Sequence, residues 1–497
     1  MRLECRLVAS LPKMAWLLSL DRGADVAKVL HGPWVDACPH FVFEGAWSGE
    51  FNDGPSAECT TIFGSGAVIR DGRLVLLTPT HTCEGIYTYR TRDRFLASNS
   101  IAFLLRQAGQ FLDPRFRDYE ALALSVSNGL STYEKRFPLK GGTFFECHYY
   151  SSIEITGDLS TEETLYPRRG EGFRSYGQYK AHLLSEMAAL QGCATADGRV
   201  RQFPFIATCS RGYDSAATAA LGYELGCREA IAVETKHSFR TDSGLPVAVA
   251  MGYEKINEYN ELDYLKCPVS IDFLGTGEVA PGLFIAPAEP YLEGRTLLSG
   301  MHGDRVWGML FKANPGLIRG FFPHTAKKEF RLRVGYIYAP VPFISVLHQD
   351  SIYKISTSDD MKPWSIGGDY DRPIPRRMAE ERGARRADFG FHKLGGAGTS
   401  LRTAGLGRLR KTMNAQDFAD FRDFYRENGK MPPLCRSLAY TVYGGYVIAK
   451  MRGIPLPSGL SERLPPNWLN SPWAPSWLFL WGISRLSSRY EIALTHP

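Results

Sequence analysis

The sequence predicts an α/β protein in two parts: a β-rich α+β region over residues 1–165, then a parallel-sheet region with C-terminal helices over 175–497. Three observations predict it. Two apolar runs joined by Asp71-Gly72 carry the strongest short hairpin signal. Between Phe203 and Glu234 an apolar run, a small-residue loop, an Ala-rich stretch and a second apolar run follow in order, the pattern of a parallel strand–helix–strand unit. The length, 497 residues, suits two or three domains at roughly 100–200 residues each.

In chain order, Ala67 to Leu77 reads as the hairpin, and Gly85–Arg90 and Arg94–Ala97 as further strands. Ile101 to Arg106 reads as a short helix. Thr143–Tyr149 and Ser152–Ile155 read as a strand pair, and the polar, Gly/Arg-rich stretch 157–177 as the linker between the two parts. Leu183, Leu184, Met187 and Leu190 have helical spacing within Tyr179–Gln191. Phe203–Cys209 is a buried strand, Ser215–Leu225 a helix ended by Gly226, and Glu229–Glu234 the next strand, parallel to the first with a right-handed crossover. Trp468, Trp473, Trp477, Phe479 and Trp481 mark a packed terminal helix.

Composition excludes several classes. The net charge of +6 is too dilute for nucleic acid, where a clustered basic stripe is expected. No stretch of 18 apolar residues offers a membrane span. Glu4 stands where a signal peptide would be basic, and the apolar run Ala15–Leu20 is short and late, so no signal peptide is expected. Ten cysteines lie singly from Cys5 to Cys435, a pattern that fits reduced thiols and a cytoplasmic location.

Two loops carry the chemistry. Ser210-Arg211-Gly212-Tyr213-Asp214-Ser215 joins the first strand of the unit to its helix. Small polar residues feeding a helix N-terminus turn backbone N–H groups toward an anion, and Ser210 and Ser215 add hydroxyl donors. Asp214 would repel a phosphate unless a divalent metal lies between them, which makes it a candidate Mg2+ ligand; the same residues also suit a plain capped helix. Arg295–Ser299 is again an apolar strand, ending in Gly300-Met301-His302-Gly303-Asp304-Arg305. Ligands gather beyond the carboxyl ends of parallel strands, so these loops, about 90 residues apart, can face one site and hold Mg2+ between Asp214 and Asp304.

With these motifs the chain resembles the asparagine synthetase-like family. Ser210 to Ser215 is similar to the S-G-G-x-D-S pyrophosphate loop of its N-type ATP pyrophosphatase domain, and Ser299 to Asp304 to its second motif, S-G-x-G-x-D-E. Asp71-Gly72-Arg73-Leu74-Val75, Gly85-Ile86-Tyr87 and Phe95-Leu96-Ala97-Ser98 resemble the Ntn-type glutamine-amidotransferase domain that precedes it. Tyr370 to Arg377, through Phe389 to Lys393, resembles more loosely the basic closing segment, in which a Lys or Arg contacts the leaving pyrophosphate.

The resemblance implies an Ntn-like sandwich followed by an ATP-pyrophosphatase (adenine nucleotide α-hydrolase-like) sheet of roughly five parallel strands. It implies ATP and Mg2+ as cofactors and an AMP-forming reaction. A small-molecule or peptide carboxylate attacks the α-phosphate, giving an acyl-adenylate and pyrophosphate, and an amine captures the acyl group as an amide. Carried over residue by residue, Ser210, Arg211, Gly212, Asp214, Ser215, Ser299, Gly300 and Gly303 line ATP and pyrophosphate. Asp214 and Asp304 hold the metal, Val233 lies near the adenine, and Lys393, or less so Arg386, stabilises the pyrophosphate.

The departures narrow the expectation. An active amidotransferase half needs a cysteine as the free N-terminal residue, its own amine serving as base. Here the second residue is Arg2, and Cys5 would be freed only by cleavage after Glu4. The expectation is therefore that glutamine is not hydrolysed and the first domain is a structural relic, a plan similar to β-lactam synthetases and lasso-peptide cyclases. Arg211 replaces a motif glycine, which is costly only where φ is positive, and its side chain could reach a phosphate. His302 stands at another glycine and is a candidate general base for the attacking amine, the alternative being a plain hydrogen-bonding loop residue; Arg305 stands at the motif Glu. Arg376, Arg377, Arg382, Arg385 and Arg386 read as a solvated helical face, Asp242 as a helix cap, and Glu329 with Arg331 as residues that orient substrate without motif support. Two other functions fit the sequence: a glutamine-dependent amidotransferase, and a non-catalytic ATP-binding scaffold. Oligomeric state is left open.

Overall fold

Alternating apolar and polar residues build the first 165 residues into two stacked sheets. The computed structural model describes every residue except 117, 169, 238–239, 277–281, 310–316, 318–325, 369, 391–405, 429–444, 446–448, 450–453, 455–474 and 496–497. Thirteen strands precede Tyr166: β1 (Arg2–Leu7), β2 (Trp16–Asp21), β3 (Val26–His31), β4 (Asp36–Ala37), β5 (Phe41–Trp47), β6 (Ile62–Arg70), β7 (Arg73–Leu77), β8 (Ile86–Arg90), β9 (Arg94–Ser98), β10 (Arg136–Pro138), β11 (Phe144–His148), β12 (Ser151–Ile155) and β13 (Thr161–Leu165). One sheet runs β1-β3-β2-β9-β8-β11-β10 and the other β13-β12-β7-β6-β5-β4. All pairs are antiparallel except β1 with β3. Trp16, Leu18 and Val29 of the first sheet meet Val42, Leu74, Leu76 and Ile153 of the second in one buried layer. The expected hairpin is β6–β7, closed by Asp71 (φ 50°) and Gly72 (φ 74°), the two positive φ values a type I′ turn requires.

Two expectations are corrected here. The strands at 144–148 and 151–155 do not pair: β11 belongs to the first sheet and β12 to the second, and the chain crosses between them through Tyr150 at φ 55°. The stretch 157–177 is not all linker, because β13 extends the second sheet from within it. This edge strand has only one apolar residue, Leu165, and its one half-buried charge, Glu163, is bonded by Lys135, His148 and Ser151. Apolar alternation is too thin there to read as a strand.

The second part forms around a parallel sheet: β14 (Phe205–Cys209), β15 (Glu229–His237), β17 (Lys255–Asn260), β18 (Thr296–Ser299) and β19 (Ile337–Pro340), with the short β16 (Arg240–Asp242) folded back on β15. Their spatial order is β17-β15-β14-β18-β19, every neighbour parallel. Numbered along the chain, these five strands stand 3-2-1-4-5, the doubly-wound order whose direction of winding reverses between the first strand and the fourth. That switch point lies between β14 and β18.

Helices complete the layers. α1 (Ile101–Ala108) lies on β8 and β9, and α2 (Tyr176–Ala194) lies on β5. α3 (Tyr213–Glu224) follows β14, α4 (Gly303–Val306) follows β18, and α5 (Lys328–Val334) precedes β19. α6 spans Pro373–Glu381, α7 Ala415–Asn428 and α8 Pro475–Thr495. α8 returns to the sandwich: Tyr490 stacks on Phe103 of α1 at 4.7 Å, and Ser10 Oγ donates to the Ala493 carbonyl. Trp477, Phe479 and Trp481 are buried along α8, as expected; Trp468 and Trp473 lie outside the described residues.

α5 reverses what its composition suggests. Lys328, Glu329 and Arg331 are buried despite their charge. The Arg331 guanidinium bonds Glu44 of β5 at 2.7 and 2.9 Å and Glu84 at 3.0 and 3.2 Å, while Lys328 donates to the Gly85 carbonyl. Glu329 accepts from Tyr490 of α8, and Arg333 bonds Glu289 and Asp272. Glu329 and Arg331 therefore join the sandwich, the parallel sheet and α8, in place of the substrate-orienting role expected. Among the described residues the nine cysteines are free thiols, and no helix is long and apolar enough to cross a membrane.

Candidate functional site

The two motif loops leave the sheet at the switch point, where an open α/β sheet leaves a crevice beyond its strand ends. β14 is buried over most of its length, and the chain turns at Ser210-Arg211-Gly212 before α3 begins. Ala216, Ala217, Ala219 and Ala220 are all buried, so small side chains let α3 lie close on the sheet. Gly212 caps the helix with extended backbone. Ser210 Oγ accepts from Gly212 N at 3.1 Å and lies 2.5 Å from Ser215 Oγ, so the two hydroxyls tie the loop to the first helical turn. Asp214 sits in that turn, where a helix dipole favours negative charge.

β18 ends in Ser299, whose hydroxyl lies 3.1 Å from that of Tyr338 and accepts from Met301 N. Gly300 and Gly303 then press directly on the first loop. A Cβ on Gly300 would come within 2.4 Å of the Asp214 carbonyl, and one on Gly303 within 2.7 Å of the Asp214 carboxyl carbon. A side chain at Gly300 would meet the backbone of the first loop, and one at Gly303 would displace the Asp214 side chain. The loop of Ser210, Gly212, Asp214 and Ser215 thus lies directly against that of Ser299, Gly300, Gly303 and Asp304. Val233 is half-buried on β15, one strand further along, paired with Tyr259.

The altered positions resolve differently. Arg211 has no positive φ, so its side chain carries no backbone penalty there. It points to the neighbouring loop: Nε donates to the Ser243 carbonyl and lies 3.7 Å from Asp242. Asp242 ends β16 and caps no helix, the following helix being capped at Gly244. The strain falls on His302, at φ 75°, a region that His enters more readily than most side chains. Its ring is buried and stacks on Phe343 at 4.7 Å with the planes 18° apart, which supports the loop from beneath.

The arginines of the closing segment form a solvated face only in part: Arg385 and Arg386 are exposed, whereas Arg377 and Arg382 are half-buried. Arg376 is fully buried, bonded to Glu380 and to the Tyr213 hydroxyl. Arg377 pairs with Glu381, Arg385 with Asp388 and Arg386 with Glu380, and Arg382 stacks on Tyr223. The helix carries Arg376 and Arg377, the first of which meets α3 through Tyr213, and Arg382, Arg385 and Arg386 follow its end. Lys393 lies outside the described residues.

A further residue of this segment reaches the carboxylate of the first loop, and the sequence offered no role for it. Arg372, just before α6, places Nη1 2.6 and 2.7 Å from the two Asp214 carboxylate oxygens. Burial works against its charge, but Asp214, with Asp304 adding a smaller share, holds its pKa above the ordinary value. A basic residue beside the Pro373 that opens the helix was the available signal. The Arg372 side chain is 8% exposed and that of Asp214 25%. The crevice therefore holds two carboxylates on facing loops with a guanidinium on one of them.

Cys5 behaves unlike an activated nucleophile: burial, with Cys38 nearby, pushes its thiol up to about 11. No protein-family model matches the chain, and no curated protein matches it in sequence.

Proposed function

We propose that the protein is an ATP- and Mg2+-dependent, AMP-forming carboxylate–amine ligase of asparagine synthetase-like type that does not hydrolyse glutamine. On this reading the sandwich is an Ntn-like domain without its chemistry, and the parallel sheet is an ATP-pyrophosphatase domain. One observation carries the proposal: two small-residue loops flank the switch point and interlock, a Cβ at Gly300 meeting the Asp214 backbone and one at Gly303 its side chain.

The residues suit the cofactors. Backbone N–H groups at the start of α3, with the Ser210 and Ser215 hydroxyls, provide donors for phosphate oxygens. Asp214 already holds a positive group, Arg372, so its environment accepts a cation, and Asp304 supplies a second carboxylate. Those two would hold Mg2+, which when bound supplies charge stabilisation to the departing pyrophosphate. Arg372 must then release Asp214, and its freed guanidinium is a phosphate ligand of suitable shape. Arg211, held by Ser243 and Asp242, positions the first loop, and His302 supports the second.

The test is pyrophosphate release from Mg·ATP across a panel of carboxylates, with and without amines. Carboxylate-dependent release with AMP as co-product is expected. ATP binding with no release on any acid favours the scaffold reading, to which the Arg372–Asp214 closure also lends itself.

A further inference from the structure

β1 ends the first sheet, and no described residue hydrogen-bonds to its outer edge. Arg2 N donates to the Asp25 carbonyl at 2.8 Å, and Val8 N to that of His31 at 2.9 Å. Successive residues of a strand direct their peptide groups to alternate edges. The even-numbered residues therefore face β3, and Leu3, Cys5 and Leu7 present N–H and C=O groups outward. Leu3 and Cys5 are half-buried against the sandwich core, whereas Arg2, Glu4 and Arg6 are exposed on the other face. Leu7 is 56% exposed, an uncovered apolar residue at the end of the same edge.

An unpaired edge is a template for another strand, and alternating charge decides which strand fits. Consider two copies antiparallel about a two-fold axis, as in most homodimers. Outward-facing residues must meet outward-facing residues, so the axis passes through a residue. At Glu4, the axis sets Glu4 against the partner's Glu4 and Arg2 against the partner's Arg6. With Arg6 on the axis, two arginines meet. At Cys5, Glu4 lies opposite the partner's Arg6 on both sides of the axis, and Leu3 opposite the partner's Leu7. All three outward residues then form hydrogen-bonded pairs, and Leu7 gains an apolar neighbour.

We propose that β1 is the interface of a homodimer in which two copies pair antiparallel about Cys5, joining their seven-stranded sheets into one. The two Cys5 residues face each other as a hydrogen-bonded pair, with Cα atoms about 5.5 Å apart, within the span of a disulfide.

The mass in solution, by light scattering, and the dimer dissociation constant are the readouts. Glu4→Arg turns both opposite-charge pairs into Arg–Arg pairs and is expected to weaken the dimer about tenfold or more. The double variant Glu4→Arg with Arg6→Glu restores the pairs and should restore the dimer. Mild oxidation should link the chains through Cys5, identified by peptide mapping, and Cys5→Ser should abolish that link. A monomer at tens of micromolar overturns the proposal. So does a dimer that Glu4→Arg leaves unchanged, because it must use another surface.

Discussion

Two guanidinium–carboxylate clusters do opposite work in this molecule. At the seam between sandwich and parallel sheet, Arg331 is enclosed with Glu44 and Glu84, all three nearly or fully buried. Every charge there has a fixed partner, and Ser65 adds a bond to Glu44. Burial pushes the Glu44 carboxyl up, while for Glu84 the burial is outweighed by Arg331 and Lys328, which bring it down. In the crevice at the strand ends, Arg372 bonds the Asp214 carboxylate and lies over the Tyr370 ring, and a quarter of the Asp214 side chain is open to solvent. The first cluster has no room to exchange partners. The second is partly open to solvent, the difference expected between a fastening and the binding site proposed above.

The comparison can be broken at its strongest point first. Arg331→Met removes the guanidinium shared by two buried carboxylates and should cost about 3–5 kcal/mol, read by denaturant unfolding. Asp304→Ala should leave that unfolding curve nearly unchanged and lower pyrophosphate release by about a hundredfold or more. Normal turnover in this variant would remove Asp304 from the site.

A half-buried carboxylate sharpens the contrast through pH. Partial burial of Glu163 raises its pKa, but His148 and Lys135 outweigh this and hold it at about 2, below the ordinary 4.5. A depressed folded pKa stabilises fully above the unfolded value, and that stabilisation fades as pH falls toward 2. Glu163→Gln should therefore cost about 2 kcal/mol at neutral pH, and the gap to the unaltered protein should close between about pH 5 and pH 2. The smallest effect is expected in the crevice. Arg372→Gln should cost about 1 kcal/mol, because Asp214 is partly solvated, and should lower the Mg2+ concentration giving half-maximal pyrophosphate release. An unchanged Mg2+ dependence would show that Arg372 and the metal do not compete.

Much of this was legible in the sequence, and the reasons are local. Asp71-Gly72 encodes its own turn geometry, and the apolar runs at 205–209 and 296–299 announce buried parallel strands. The facing of the two loops followed from a general rule about strand ends. What was hidden depends on distant partners. β13 is polar because it lies at an edge. Arg376 and Arg331 look like surface residues until Tyr213 and Glu380, or Glu44 and Glu84, are brought to them from far along the chain. The position of Arg372 on Asp214 spans 158 residues, beyond any local pattern.

The return of α8 to α1 bears on synthesis. Arg106 and Ser10 leave the ribosome 385 and 483 residues ahead of their partners Glu491 and Ala493 in α8, and Phe103 likewise precedes Tyr490. The nascent sandwich must therefore emerge with one helical layer incomplete and the apolar face of α1 partly uncovered. Chaperone dependence during translation, and aggregation of chains stopped before Pro475, are the expected biological costs of that long-range closure.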